Sequence, residues 1–208
     1  MCFKDISSFR FASIFCDEVT LCSKCALEMK GDFRSFKLNG FRAYYLYDYE
    51  ESIRNHLFLL KGCGDLEIAK IFFSSQIPLL KVMFWGYFIV PAPSFEERNQ
   101  QRGFNQVEAI FAPLGLPFLN VIRKIDDVKQ ADCSKEERNK IGDHLRLENG
   151  VSLKGKKILF VDDVYTTGAT AKACIRLISQ AQPKTIRALF MAKVKPLNEE
   201  KNSVSKNP

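Results

Sequence analysis

The segment Ile158 to Thr170, ILFVDDVYTTGAT, constrains the fold more than any other stretch of the chain. An apolar run of strand length ends in two adjacent acids, Asp162 and Asp163. Small and hydroxylated residues then lead into a helical pattern with Ala171, Cys174, Ile175 and Ile178 on one face. In an open parallel sheet, ligands bind outside the carboxyl ends of the strands, which is where these acids would stand. The N–H groups at a helix start favour a phosphate. The backbone from Thr166 and Thr167 through Gly168 and Ala169 to Thr170 is expected to hold one, with threonine hydroxyls as extra donors and Gly168 permitting close approach. Two carboxylates facing a polyanion would repel it. They suit the vicinal hydroxyls of a ribose, directly or around a magnesium ion. The plain alternative is a strand whose acids only cap the next helix. Neither G-x-x-x-x-G-K-S/T nor G-x-G-x-x-G occurs in the chain.

The flanking pattern alternates strand and helix, which predicts an α/β fold with a parallel sheet flanked by helices. Phe41 to Tyr49 reads as a strand or hairpin arm. Ser52 to Lys61 reads as a helix on Ile53, Leu57 and Leu60, and Leu66 to Leu80 as a buried helix ended by Ile77-Pro78. Tyr87 to Ala92 is a strand, and Asn105 with Glu108 is a capping-box helix start. Leu116 to Arg123 is the next strand. Lys124 to Gly150 is a long polar stretch, of the kind that is functional or mobile. Lys157 to Val161 and Thr185 to Ala192 are the last two buried strands.

The thirteen-residue segment resembles the phosphoribosyl pyrophosphate (PRPP) loop of type I phosphoribosyltransferases. With VPAPSFEERNQQRGFNQVEA, QADCSKEERNK, LKGCGD at Leu60 to Asp65 and the cysteine-bearing N-terminus, nearly the whole chain is similar to the ComF family of competence proteins. The resemblance implies a type I phosphoribosyltransferase fold and a role in natural transformation, acting with a competence helicase on incoming single-stranded DNA. It implies PRPP, bound with magnesium, as ligand, with Asp162 and Asp163 as the catalytic acids and, with Thr166, Thr167, Gly168, Ala169 and Thr170, as its contacts. Arg98 and Arg102, in the loop after the first core strand, would contact pyrophosphate. The polar stretch from Lys124 to Asp143 would close over the site, with Lys124, Lys129 or Arg138 neutralising the leaving group. The alternative is a phosphoribosyltransferase that makes nucleotides from a free base and PRPP. In the family's LKYKGD-like segment the second lysine is replaced here by Cys63.

Seven cysteines, an odd number, in a chain with no secretory pattern favour metal ligation or buried thiols over disulfides, and a cytoplasmic location. The resemblance implies that partners can hold the protein at the inner face of the membrane. Cys22 and Cys25 form a C-x-x-C knuckle that can hold zinc with Cys2 and Cys16, Asp5 being an oxygen alternative. The competing reading is free or buried thiols. Residues 1–40 are therefore expected to be a cysteine-rich zinc module, 41–193 a phosphoribosyltransferase-like domain and 194–208 a flexible tail. Ile77 to Val90, broken by Pro78, Lys81 and Gly86, cannot span a bilayer. The net charge of +7, with Arg98, Arg102, Arg123, Lys124, Lys129 and Arg138 in two loops, predicts weak, nonspecific binding of single-stranded DNA. Phe95 and Phe104 would add stacking unless they are buried.

Overall fold

The computed structural model describes residues 25, 27, 29–94, 99, 100, 102–124, 145–148 and 151–195. Arg34–Leu38 (β1) and Phe41–Asp48 (β2) form an antiparallel hairpin. Its two-residue turn is Asn39-Gly40, both at positive φ (49° and 83°), the pairing that matches a tight turn to strand twist. Three helices follow: α1 (Glu51–Cys63), α2 (Leu66–Ile71) and α3 (Ile77–Met83). Next come β3 (Tyr87–Pro91), α4 (Gln106–Phe111) and the short hairpin of β4 (Ile122–Lys124) with β5 (Leu145–Leu147). The chain then runs through β6 (Lys157–Tyr165), α5 (Ala169–Gln180) and β7 (Thr185–Lys193). Among the described residues no helix is long and apolar enough to cross a membrane.

The main sheet has the order β1-β2-β7-β6-β3. The pairs β2·β7, β7·β6 and β6·β3 are parallel and β1 is antiparallel, so the sheet is mixed rather than wholly parallel. Its strands β6 and β7 carry unbroken buried apolar runs, Ile158 to Val161 and Ala188 to Ala192, because both faces are covered there. One core contains Leu159, Val161, Leu189 and Met191 under α1 to α4, and the other Phe160, Ala188 and Phe190 under α5. The face of α5 predicted from its period is the buried one: Ala171, Cys174, Ile175 and Ile178.

Three sequence expectations differ from the structure. The helix expected over Leu66 to Leu80 is two helices, and Ile77-Pro78 begins the second instead of ending the first. Proline lacks an N–H that the first helical turn does not need, so it suits a start as well as a stop. The strand expected over Leu116 to Arg123 touches β3 only through the Ile89–Phe118 bridge, and Ile122 then leaves to pair with Leu147. The sheet also begins at Arg34, inside the segment assigned to the cysteine module, and Lys195 of the expected tail is ion-paired to Asp48 and Glu50.

Candidate functional site

The chain leaves β3 through α4 toward the outer edge, where Phe118 bridges Ile89, and then crosses back to β6 on the other side of β3. The carboxyl ends of β3 and β6 therefore flank the crevice at which the winding of the sheet reverses, the usual ligand position in such folds. Both acids stand there, because β6 continues through them to Tyr165.

Asp162 lines a cavity of about 200 Å³ together with Val164, Tyr165, the stretch from Thr166 to Ala171, and Phe190. Its Oδ1 accepts the Asp163 N–H at 2.9 Å. Burial first, and the neighbouring Asp163 charge second, push its carboxyl well above the usual carboxylate range, with Lys61 pulling the other way. Helix α5 opens from Gly168, at φ 75°, so no capping side chain occupies its first turn. Only the Thr167 hydroxyl reaches in, accepting from the Ala169 N–H at 3.4 Å. The loop thus offers backbone donors, the positive end of a helix and three threonines beside one half-buried carboxyl. Tyr165 closes its side: the ring lies against Gly168 and makes edge contacts with Phe36 of β1 and Phe190 of β7, centroids 4.9 Å and 5.0 Å away.

Asp163 is turned toward α1 and α4 and is only 7% exposed. Its Oδ1 accepts the Val164 N–H at 2.6 Å, and its Oδ2 accepts Gln106 Nε2 at 2.8 Å and Lys61 Nζ at 2.5 Å. Gln106 Oε1 in turn accepts Arg102 Nη1 at 2.7 Å. The loop residues and both acids are thus brought together, and Arg102 is joined to them through Gln106. Lys61 and Gln106 were given no role in the sequence analysis. LKGCGD and RGFNQ were visible as motifs, but nothing in their spacing says that they meet at Asp163.

A second, polar cleft of about 230 Å³ lies beyond β3, lined by Pro91 to Ser94, Asn99, Asn105, Glu108, Asn120 and Ile122 to Lys124. Asn105 caps α4, accepting the N–H groups of Val107 and Glu108, and with Asn120 it donates to Glu108 Oε1. Arg123 is ion-paired to Glu148. Phe104 packs against the core beneath the first loop. Arg98, Phe95, Lys129, Arg138, Cys2, Asp5, Cys16 and Cys22 lie outside the described residues; Cys25, the one described member of the cysteine set, is buried.

Residues 102–206 match the family model described as the phosphoribosyl transferase domain. The competence protein ComFC of Streptococcus pneumoniae is 30% identical over 150 residues, covering 71% of this chain and 66% of that protein. ComFC of Bacillus subtilis is 32% identical over 137 residues, 64% of this chain and 56% of that protein, so the chain spans somewhat over half the length of these curated relatives. The adenine phosphoribosyltransferase of Campylobacter hominis is 33% identical over 101 residues, 46% of this chain and 54% of that protein.

Proposed function

The chain belongs to the phosphoribosyl transferase domain family, and from that membership we propose that it is a ComFC-like competence protein whose site binds PRPP. The observation that carries the ligand is the single cavity in which Asp162 meets the uncapped start of α5. The 5-phosphate takes the backbone donors from Thr166 to Thr170. The ribose hydroxyls lie toward Asp162, and the pyrophosphate extends toward Arg102 and the second cleft. Asp163 acts from behind, fixing α4 and α1 on the acid pair.

Magnesium that arrives with PRPP supplies positive charge beside the ribose hydroxyls, and the donor set fits it: Asp162 is a carboxylate on the cavity wall, an oxygen ligand of the hard type this ion prefers. The wider reading is a protein of DNA uptake that works with a helicase on incoming single-stranded DNA and carries a zinc-holding N-terminal module. What supports it is the similarity to two ComFC proteins over most of this chain. The competing reading, a salvage enzyme that joins a base to PRPP, has the shorter similarity to adenine phosphoribosyltransferase behind it.

Calorimetric titration with PRPP and magnesium tests the site. Saturable binding that is lost in Asp162→Asn is expected; binding that survives the substitution, or no binding to the native protein, rejects it. Adding bases in turn and measuring released pyrophosphate tests the competing reading: release that depends on a free base supports the salvage enzyme, and none with any base rejects it.

A further inference from the structure

A pair of carboxylates beside a phosphate cradle should repel a ligand as anionic as PRPP, and LKGCGD has no function assigned to it. Lys61 answers both. It lies in the last turn of α1, which ends at Gly64 in the left-handed conformation (φ 71°) with the cap N–H bonded to the Leu59 carbonyl. That termination directs the end of α1 at the carboxyl end of β6, where Lys61 Nζ reaches Asp163 Oδ2. The ammonium group has three donors, and Asp163 engages one. The side chain is 34% exposed, so a ligand at the carboxyl end of β6 can reach the ammonium group that Asp163 holds. On the far side of Asp163, the Gln106 bridge brings up the Arg102 guanidinium. The charged groups facing Asp163 are thus Lys61 from α1, Asp162 on its own strand and, through Gln106, Arg102 at the approach to α4.

We propose that Lys61 is a pyrophosphate-binding residue of this site, supplied from outside the family-matched segment 102–206 and held in position by Asp163. It rests on the PRPP reading above. Lys61 cancels the charge of Asp163, so the acid pair no longer opposes a polyanion, and its two free donors join Arg102 on the anionic leaving group. Asp163 is then the anchor of a cation, and Asp162 the acid that faces the sugar.

The test uses the full chain and two separate probes, inorganic pyrophosphate and ribose 5-phosphate, each titrated calorimetrically in the presence of magnesium. Lys61→Gln retains a donor for Asp163 while removing the charge, and Lys61→Arg retains the charge. Expected for Lys61→Gln is a loss of roughly ten-fold in pyrophosphate affinity, the size of one charge-assisted hydrogen bond, with ribose 5-phosphate affinity changed by less than about two-fold. Lys61→Arg should recover most of the loss. Equal weakening of both probes would make Lys61 a structural partner of Asp163 only, and unchanged pyrophosphate affinity would remove it from the site; either overturns the proposal. Native protein that binds neither probe overturns the PRPP reading itself, a result that needs no variant and is therefore distinct.

Discussion

The Tyr165 ring lies so close to Gly168 that its hydroxyl occupies the space a Cβ at residue 168 would need. Gly168 is therefore required twice, once for its positive φ and once for this approach. Gly168→Ala should lower the melting temperature, with about 1 to 2 kcal/mol from backbone strain alone, and should weaken PRPP binding at least roughly ten-fold by displacing the loop backbone. The double variant Tyr165→Ala, Gly168→Ala removes the collision and leaves the strain, so thermal melts should show it recovering part of the loss. No recovery would mean that the ring contact is incidental.

Asp162 gives a pH signature. Its folded pKa is raised above the ordinary 3.8, so the folded state holds the proton more tightly than the unfolded state. Stability contributed by this group is therefore complete at low pH and falls as pH rises from the unfolded value through the raised one. Asp162→Asn, which cannot ionise, should melt higher than the native protein at about pH 8 and gain less at about pH 5. Melting curves at the two values decide it, and a gain that is larger at the acidic one contradicts the assignment.

Replacing Asp163 should lower stability. Its carboxylate accepts from Lys61, Gln106 and the Val164 N–H, all at once. Asp163→Asn breaks the ion pair while leaving a lysine that can turn toward water, so a loss of about 1 to 3 kcal/mol is expected in chemical denaturation. A variant as stable as the native chain would show that the network contributes nothing.

The cysteine module is expected to hold one zinc per chain through Cys22 and Cys25 with two of Cys2, Cys16 and Asp5. Structural zinc is coupled to folding, so chelation should expose the first thirty or so residues to protease and spare the sheet. Metal analysis giving much less than one equivalent would defeat the expectation.

Single-stranded DNA should bind weakly, lose affinity as salt rises, and compete with PRPP, because its phosphates and the pyrophosphate would be drawn to the same basic side chains, Arg102 among them. Arg123 is already paired with Glu148, so Arg123→Ala should change binding less than Arg102→Ala. Phe104 packs against the core, so Phe104→Ala should cost stability rather than DNA affinity. Salt-independent binding by fluorescence anisotropy would reject the electrostatic account, and indifference to PRPP would place the DNA surface elsewhere.

Much of the sheet and of the phosphate loop was legible because their signals are local. An apolar run that meets acids, a glycine and then a 3.6-residue period defines β6, the turn and α5 within about two dozen positions. Asn105 likewise shows its role as a cap within three residues. Local pattern misread Pro78, since the same residue that breaks a helix interior also favours its first turn. It overextended the strand at Leu116, because apolar character persists to Ile122 after the backbone has turned away from β3. The link from Lys61 to Asp163 was hidden for a different reason: no period relates an exposed helix end to a strand end a hundred positions later, and only the packing of α1 brings them together.

The strand order also bears on how the protein comes to be folded during synthesis. Both strands that flank the β6·β7 pair, β3 and β2, lie upstream of the family-matched segment, and β2 pairs along its length with the last strand of the sheet. Tyr45 has to wait for Phe190 to leave the ribosome before its partner on β7 exists. Until then the β1–β2 hairpin presents an unpaired edge at which another strand can pair. A fragment beginning at residue 102 inherits the converse defect, with the β6·β7 pair bare along both of its outer edges. The recognisable transferase segment is therefore a unit of sequence but not a unit of folding.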